Sequence, residues 1–123
     1  MKITGFKTFE NFTIEFSPFV VIAGNNGAGK SNLFDAIQLL SKLSQSDLRS
    51  SFQELRGDPK ELFTLKPDGR YGHQMTFVVE MLVDSKIRDK WGGEKNLKYT
   101  RLRYSLQIKR AQDNRNRERL YIE

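Results

Sequence analysis

The sequence predicts an α/β fold: a mixed sheet in which one strand, a phosphate-binding loop and a helix sit beside an antiparallel β subdomain. Three observations predict it. The first is the octet Gly24-Asn25-Asn26-Gly27-Ala28-Gly29-Lys30-Ser31, which has the pattern G-x-x-x-x-G-K-S. The second is its setting. The apolar run Phe19-Val20-Val21-Ile22-Ala23 precedes it, and Leu33, Ala36, Ile37 and Leu40 follow at helical spacing. The run suits a strand buried on both faces, and residues 30–43 suit a helix that no Gly or Pro breaks. The third is a change of period to two beyond Gln74, where apolar residues alternate with polar ones.

The residue types in the octet follow from what a triphosphate needs. Its three glycines let the backbone enter conformations closed to other residues and turn N–H groups inward as an anion nest. The first turn of the helix adds partial positive charge at the same place. Lys30 is a mobile point charge that reaches the β- and γ-phosphates, and Ser31 offers a hydroxyl to Mg²⁺. In strand–loop–helix context this is the P-loop of an NTPase lobe. A nucleoside triphosphate with Mg is the expected ligand. Asn25, Asn26, Gly27, Ala28, Gly29, Lys30, Ser31 and Asn32 are the expected nucleotide contacts, with Lys30 as the candidate catalytic residue.

Bulk composition bounds the rest. At 123 residues, with 29% charged and 37% hydrophobic, the chain is long enough for one globular domain with a modest core. No apolar run approaches the roughly 20 residues needed to cross a bilayer, and Met1-Lys2-Ile3-Thr4-Gly5 starts at once with strand-like alternation instead of a signal peptide. The cytoplasm is the expected location. Zero cysteines exclude disulfides and thiolate metal sites, and one histidine argues against zinc. Residues 97–123 carry eight Lys/Arg against three Asp/Glu, so they supply +5 of the net +6. Either a polyanion partner or a solvated strand face accounts for that asymmetry.

Taken in order, Met1 and Ile3 alternate with Lys2 and Thr4, and Phe12, Ile14 and Phe16 alternate with Thr13, Glu15 and Ser17. An antiparallel hairpin turning through Phe9-Glu10-Asn11 is the simplest arrangement. Beyond the helix, Ser41–Ser51 is polar, with one helical turn expected around residues 48–55. Arg56-Gly57-Asp58-Pro59 and Lys66-Pro67-Asp68-Gly69 are turns by composition, and Glu61-Leu62-Phe63 is either a short helix or a bridge. Met75, Phe77, Val79, Met81 and Val83 then share one strand face. Asp89–Asn96, with Trp91-Gly92-Gly93, is expected as a loop. Leu102, Tyr104, Leu106 and Ile108 share a face opposite Arg101, Arg103, Ser105, Gln107 and Lys109. Asp113-Asn114-Arg115-Asn116 is turn-like and leads to a returning strand at Leu120-Tyr121-Ile122. The expected organisation is a single domain over residues 1–123, with the hairpin and P-loop core in 1–43 and antiparallel strands in 74–123.

These motifs together resemble the N-terminal half of an SMC/RecF-type ATPase head, within the broader ABC ATPase class. Gly5-Phe6-Lys7-Thr8-Phe9 is similar to that family's G-F-K-S-F. Gly24 to Asn32 with Asp35-Ala36-Ile37 is similar to its G-x-N-G-x-G-K-S-N…D-A-I. Leu55-Arg56-Gly57 followed by Leu62-Phe63 is similar to its L-R-G…(I/L)-F. The likeness covers residues 1–65 by motif and 75–123 by strand pattern alone. It implies that Lys7 and Thr8 approach the nucleotide from the hairpin, and that Arg56 lies near the nucleotide and couples it to DNA. It also implies pairing of two heads as a homodimer. The chain departs from the family pattern in lacking an apolar strand ending in Asp-Glu, an L-S-G-G-type signature and a glutamine loop. Phe77–Asp84 imitates the first of these, but its alternation marks an antiparallel strand and no Glu follows Asp84.

The expected function is therefore a Mg-ATP-binding lobe of an ATPase that acts on DNA in maintenance, repair or defence. Without groups to orient water it should hydrolyse ATP poorly. The resemblance implies that these groups come from a C-terminal half that folds back on the first, so apolar surface meant for that half would be exposed and favour self-association. Two other functions compete. A small P-loop kinase or GTPase lacks an acceptor site and the N-K-x-D motif here. A non-enzymatic protein- or DNA-binding domain would carry the P-loop as a relic, against which stand the intact Lys30 and Ser31. Arg101, Arg103 and Lys109 would contact phosphate backbone or simply face solvent. His73 is expected as a loop histidine and Trp91 as a capping aromatic, although an indole can also stack on a base.

Overall fold

A computed structural model describes residues 1–115 and 117–123 of the protein. The strands are Lys2–Thr4 (β1), Phe12–Thr13 (β2), Gln74–Leu82 (β3), Lys86–Arg88 (β4), Glu94–Asn96 (β5), Arg101–Gln112 (β6) and Glu118–Ile122 (β7). Two α-helices, Lys30–Leu43 (α1) and Leu48–Gln53 (α2), lie between β2 and β3, and a 3₁₀ turn spans Pro59–Leu62. β2, β1, β3, β6 and β7 form one sheet in that order, with every registered pair antiparallel; β4 and β5 form a separate two-stranded hairpin.

The core sits where the sheet meets the helices. Ile3 stands opposite both Phe12 and Phe77, which ties the N-terminal hairpin to the long β3–β6 ladder. Leu33, Ala36 and Leu39 of α1 and Phe52 of α2 are buried against Ile3, Phe6, Phe63, Met75, Phe77, Leu106 and Ile108. α1 has the bounds its spacing predicts, but its inner face is rotated from the expected one: Leu39 is fully buried while Ile37 is 39% exposed. A helix 3.6 residues per turn cannot bury positions 33, 36, 37, 39 and 40 equally on one narrow line, and the helix resolves that in favour of 33, 36 and 39.

The apolar faces of β3 and β6 register as period two requires, with Met75 opposite Ile108, Phe77 opposite Leu106, Val79 opposite Tyr104 and Met81 opposite Leu102. Only the first two pairs share the core with the helices. Met81, Leu102 and Tyr104 are between 40% and 46% exposed, because the helices do not extend over that end of the ladder. Alternation fixes which face a side chain takes, not whether another layer covers it.

Three expectations are corrected. Phe19–Ala23 is not a buried strand: it has no ladder partner among the described residues, Phe19 is 81% and Val21 73% exposed, and only Ile22 packs on the core. A strand buried on both faces requires sheet neighbours and two covering layers, and the described sheet offers this run neither. Asp89–Asn96 is not a plain loop, since Glu94–Asn96 pairs with Lys86–Arg88. Strands of three mostly polar residues leave no periodic signal to find. Trp91 caps nothing and is 82% exposed.

The turns follow their chemistry. Gly69 has φ of 78° and its N–H donates to the Lys66 carbonyl, and Gly57 has φ of 94° just before the 3₁₀ turn. Asp47 caps helix α2, its carboxylate accepting from the Ser50 amide. Asp113 accepts from the Arg115 and Arg117 amides in the β6–β7 connection, and Asn116 of the expected turn lies outside the described residues.

Packing on this scale is testable. Phe77 is fully buried, with its ring edge-on to Phe6 at 5.5 Å between centroids. Phe77→Ala should destabilise by about 3–5 kcal/mol in urea unfolding. Leu82→Ala, at a position 80% exposed, should change stability by no more than about 0.5 kcal/mol. Equal losses at the two positions would contradict the fold.

Candidate functional site

The helix α1 begins at an unusually open point. Gly29 is its N-cap at φ 89°, a left-handed conformation that favours glycine. No side chain caps the helix, and no acidic residue lies in its first turn. The orphan amides of that turn therefore have no carboxylate acceptor from the chain, and the helix dipole is uncompensated. Gly27, also left-handed at φ 86°, has nothing within 4 Å of where a Cβ would stand. Lys30 folds back over this loop, its Nζ donating to the carbonyls of Gly24 at 2.5 Å and Asn25 at 2.8 Å. An ammonium has three donors, and these two acceptors are neutral, so an anion at the loop can compete for it.

A second element reaches the same place. Between β1 and β2 the chain makes a tight turn in which the amides and carbonyls of Phe6 and Phe9 exchange hydrogen bonds of 3.2 and 2.7 Å. Gly5 opens it at φ 75°, where a Cβ would stand 2.3 Å from the Gln74 carbonyl oxygen. Lys7 at its tip has φ of 46°, the one non-glycine residue in the left-handed region among the described residues. Buried Phe6 and Phe9 anchor the turn, which leaves Lys7 and Thr8 to face α1. Thr8 Oγ1 accepts from the Asn32 side chain at 2.9 Å, and it is the nearest atom to a Cβ built on Gly29, at 3.3 Å.

Asp35 ties the two elements together. One turn into α1, its carboxylate accepts from Lys7 Nζ at 2.6 Å and from the Arg56 guanidinium at 2.9 and 3.1 Å. Its side chain is 7% exposed, Lys7 14% and Arg56 72%. Burial pushes the Asp35 carboxyl up. The hydrogen bonds from Lys7 and Arg56, with the charges of both, outweigh it and hold the group below the usual carboxylate range. Beside Lys7, Thr8 and Arg56 an open cavity of about 270 Å³ is lined also by Glu61, Phe63 and Tyr71. Two cations, Lys7 and Arg56, thus hold one carboxylate a turn inside the uncapped helix, while Lys30 at its mouth is held by the loop carbonyls.

Among the expected nucleotide contacts, the structure brings Lys7, Thr8, Gly29 and Asn32 into direct proximity, and Arg56 joins them through Asp35. Asn25 and Lys30 meet across the loop, and Asn26 and Ala28 lie exposed on it. Ser31 is exposed on the first turn of α1. Among the described residues no three His, Cys, Asp or Glu side chains group as a cation site. Arg101, Arg103 and Lys109 stay apart, on the sheet face turned from the core. There Arg101 pairs with Glu80 and Lys109 with Glu123. Asp35 is the residue that the sequence reading left without a role. The available signal was an acidic residue on the helix face that Leu33 and Ala36 mark as buried, since a buried carboxylate requires partners.

The sequence profile of a family described as the AAA domain matches residues 1–121. The chain belongs to this family. The AAA domain seen here is 46% identical over 54 residues to the chromosome partition protein Smc of Halothermothrix orenii, and 50% identical over 50 residues to structural maintenance of chromosomes protein 3 of Saccharomyces cerevisiae. These matches take in 42% and 38% of the chain but only 5% and 4% of the relatives' own length. A solved structure from work on the ATP-driven dimerization and DNA-stimulated activation of SMC ATPases superposes with a TM-score of 0.50 at 20% identity. That match covers 99% of this chain and 66% of the other. The AAA domain therefore has the α/β P-loop NTPase fold of an SMC-like ATPase head, as its motifs imply, although the Phe19–Ala23 run stands outside the described sheet. Among the described residues no helix is long and apolar enough to cross a membrane.

The Asp35 cluster carries a pH signature. A carboxyl whose folded pKa is depressed contributes stability that is fully present above its unfolded value, about 3.9, and is lost as pH falls through the lower folded value. Asp35→Asn should lower thermal stability at pH 7 by about 1–3 kcal/mol, because Lys7 loses its charged partner. The gap between variant and parent should close as pH drops below about 4. Melting curves that stay parallel over this range would show that the carboxylate does not hold the cluster together.

Proposed function

We propose that this chain is the Mg-ATP-binding lobe of an SMC/RecF-like ATPase that acts on DNA. The observation that carries the reading is the helix mouth: glycine-capped, free of any carboxylate cap, and flanked by Lys30 from the loop and Lys7 from the hairpin turn. A triphosphate offers what those groups lack. Its oxygens would accept from the amides of Gly27, Gly29 and Lys30 and draw Lys30 away from its two carbonyls. Ser31 would hold Mg²⁺, which when bound neutralises phosphate charge. Lys7, Thr8 and Arg56 would meet the rest of the nucleotide from the far side of the loop. Nothing in this set orients an attacking water, so the chain by itself is proposed to bind ATP and turn it over slowly.

The wider role follows from the resemblance and the surface. Phe19 and Val21 stand in water next to the loop, and in an SMC-like head the C-terminal half is proposed to cover them. Two such heads would pair through bound ATP as a homodimer. The Arg101–Glu80 pair is exposed and the Lys109–Glu123 pair half-buried, and phosphate backbone of DNA would compete for both cations, with Arg103 beside them. A role in chromosome maintenance, repair or defence, in the cytoplasm, belongs to this proposal.

Calorimetric titration with Mg-ATP tests it. Saturable binding is expected for the parent chain. Lys30→Ala should bind at least about tenfold more weakly, since it loses a charge-assisted hydrogen bond to phosphate. Phosphate release should be negligible for both. Equal affinity in the variant, or rapid turnover by the parent, would overturn the assignment.

A further inference from the structure

The β4–β5 hairpin does no structural work for the core: all six of its strand residues are exposed, and its strands pair only with each other. It nevertheless has an ordered tip. The Asp89 carboxylate accepts from the amides of Trp91 at 2.9 Å and Gly93 at 2.8 Å, and the backbones of Asp89 and Gly93 close the turn at 2.9 Å. Gly92 is left-handed at φ 88°, and a Cβ on Gly93 would stand 2.7 Å from the Asp89 carboxylate. Arg88 and Glu94 pair at 2.7 Å just below. This turn holds out one side chain, Trp91, 82% exposed, with the Lys90 ammonium 4.7 Å from its ring centroid.

The surroundings decide what such a ring meets. Lys86, Lys90, Lys95 and Lys98 lie on or beside the hairpin, and none is in an ion pair among the described residues. Asp89 is occupied by the turn and Glu94 by Arg88. An aromatic anchor of a protein interface is ringed by apolar and neutral residues, and lysine is depleted there. A ring with the Lys90 ammonium against its face, at the tip of a hairpin whose strands and base carry three more lysines without ion pairs, suits a polyanion that also offers flat π-faces. We infer that the β4–β5 tip is a single-stranded nucleic-acid contact, in which Trp91 stacks on an unpaired base while Lys90 and the lysines along the hairpin take the flanking phosphates. This site does not rest on the nucleotide reading, since it shares no residue with the P-loop or the Asp35 cluster.

Trp91 is the sole tryptophan of the chain, so its fluorescence reports the contact directly. A short oligothymidylate should quench it, with affinity that falls as salt rises, and more strongly than a blunt duplex of equal length. Anisotropy of the labelled oligonucleotide should show Trp91→Ala binding about 5- to 150-fold more weakly, with Trp91→Phe in between and unchanged melting temperatures. Lys90→Ala with Lys95→Ala should flatten the salt dependence. Equal quenching by duplex, equal quenching by polyglutamate, or unchanged affinity in Trp91→Ala would each overturn the proposal, the second by showing that the tip reads negative charge alone.

Discussion

The structure turns on the carboxylate of Asp35. Held at 7% exposure, it would be costly to bury alone, and it is satisfied by a cation from the N-terminal turn and another from the segment after α2. Lys7 and Arg56 are 28 and 21 residues away in sequence, yet they meet on one helix. Together with the buried rings of Phe6 and Phe9, that group docks the β1–β2 turn on α1 and sets Thr8 against Gly29 and Asn32 at the loop. The left-handed Lys7 backbone is a cost the docking must offset, and the core contacts of Phe6 and Phe9 on either side contribute to doing so.

The same arrangement makes the site responsive. Each cation is partnered within the chain, Lys30 by the loop carbonyls and Lys7 and Arg56 by one shared carboxylate. In the proposed complex a triphosphate would compete for all three, and Arg56, 72% exposed, would give up the least on exchange.

Much of this was legible in the sequence. The G-x-x-x-x-G-K-S octet and the spacing after it locate α1 to the residue, because glycine placement and helical period are local properties. The period-two runs give β3, β6 and their facing register. The failures share a cause. Phe19–Ala23 has the composition of an inner strand, but a strand forms only beside a neighbour, and composition carries no information about neighbours. The exposure of Met81, Leu102 and Tyr104 depends likewise on how far the helices reach. The β4–β5 hairpin is too short and polar to show a period. At the site, Lys7, Thr8 and Arg56 were reached through motif resemblance, whereas Asp35, which joins them, shows itself only once its burial is known.

The central claim is that the P-loop and the hairpin turn form one anion site joined through Asp35. The direct measurement is the ¹⁵N–¹H spectrum of the chain during titration with Mg-ATP. The amides of Gly27, Gly29 and Ser31 should shift together with those of Lys7 and Thr8, all following one binding curve. Shifts confined to the loop, or absent from it while the lysine-rich β4–β5 hairpin responds, would contradict the account.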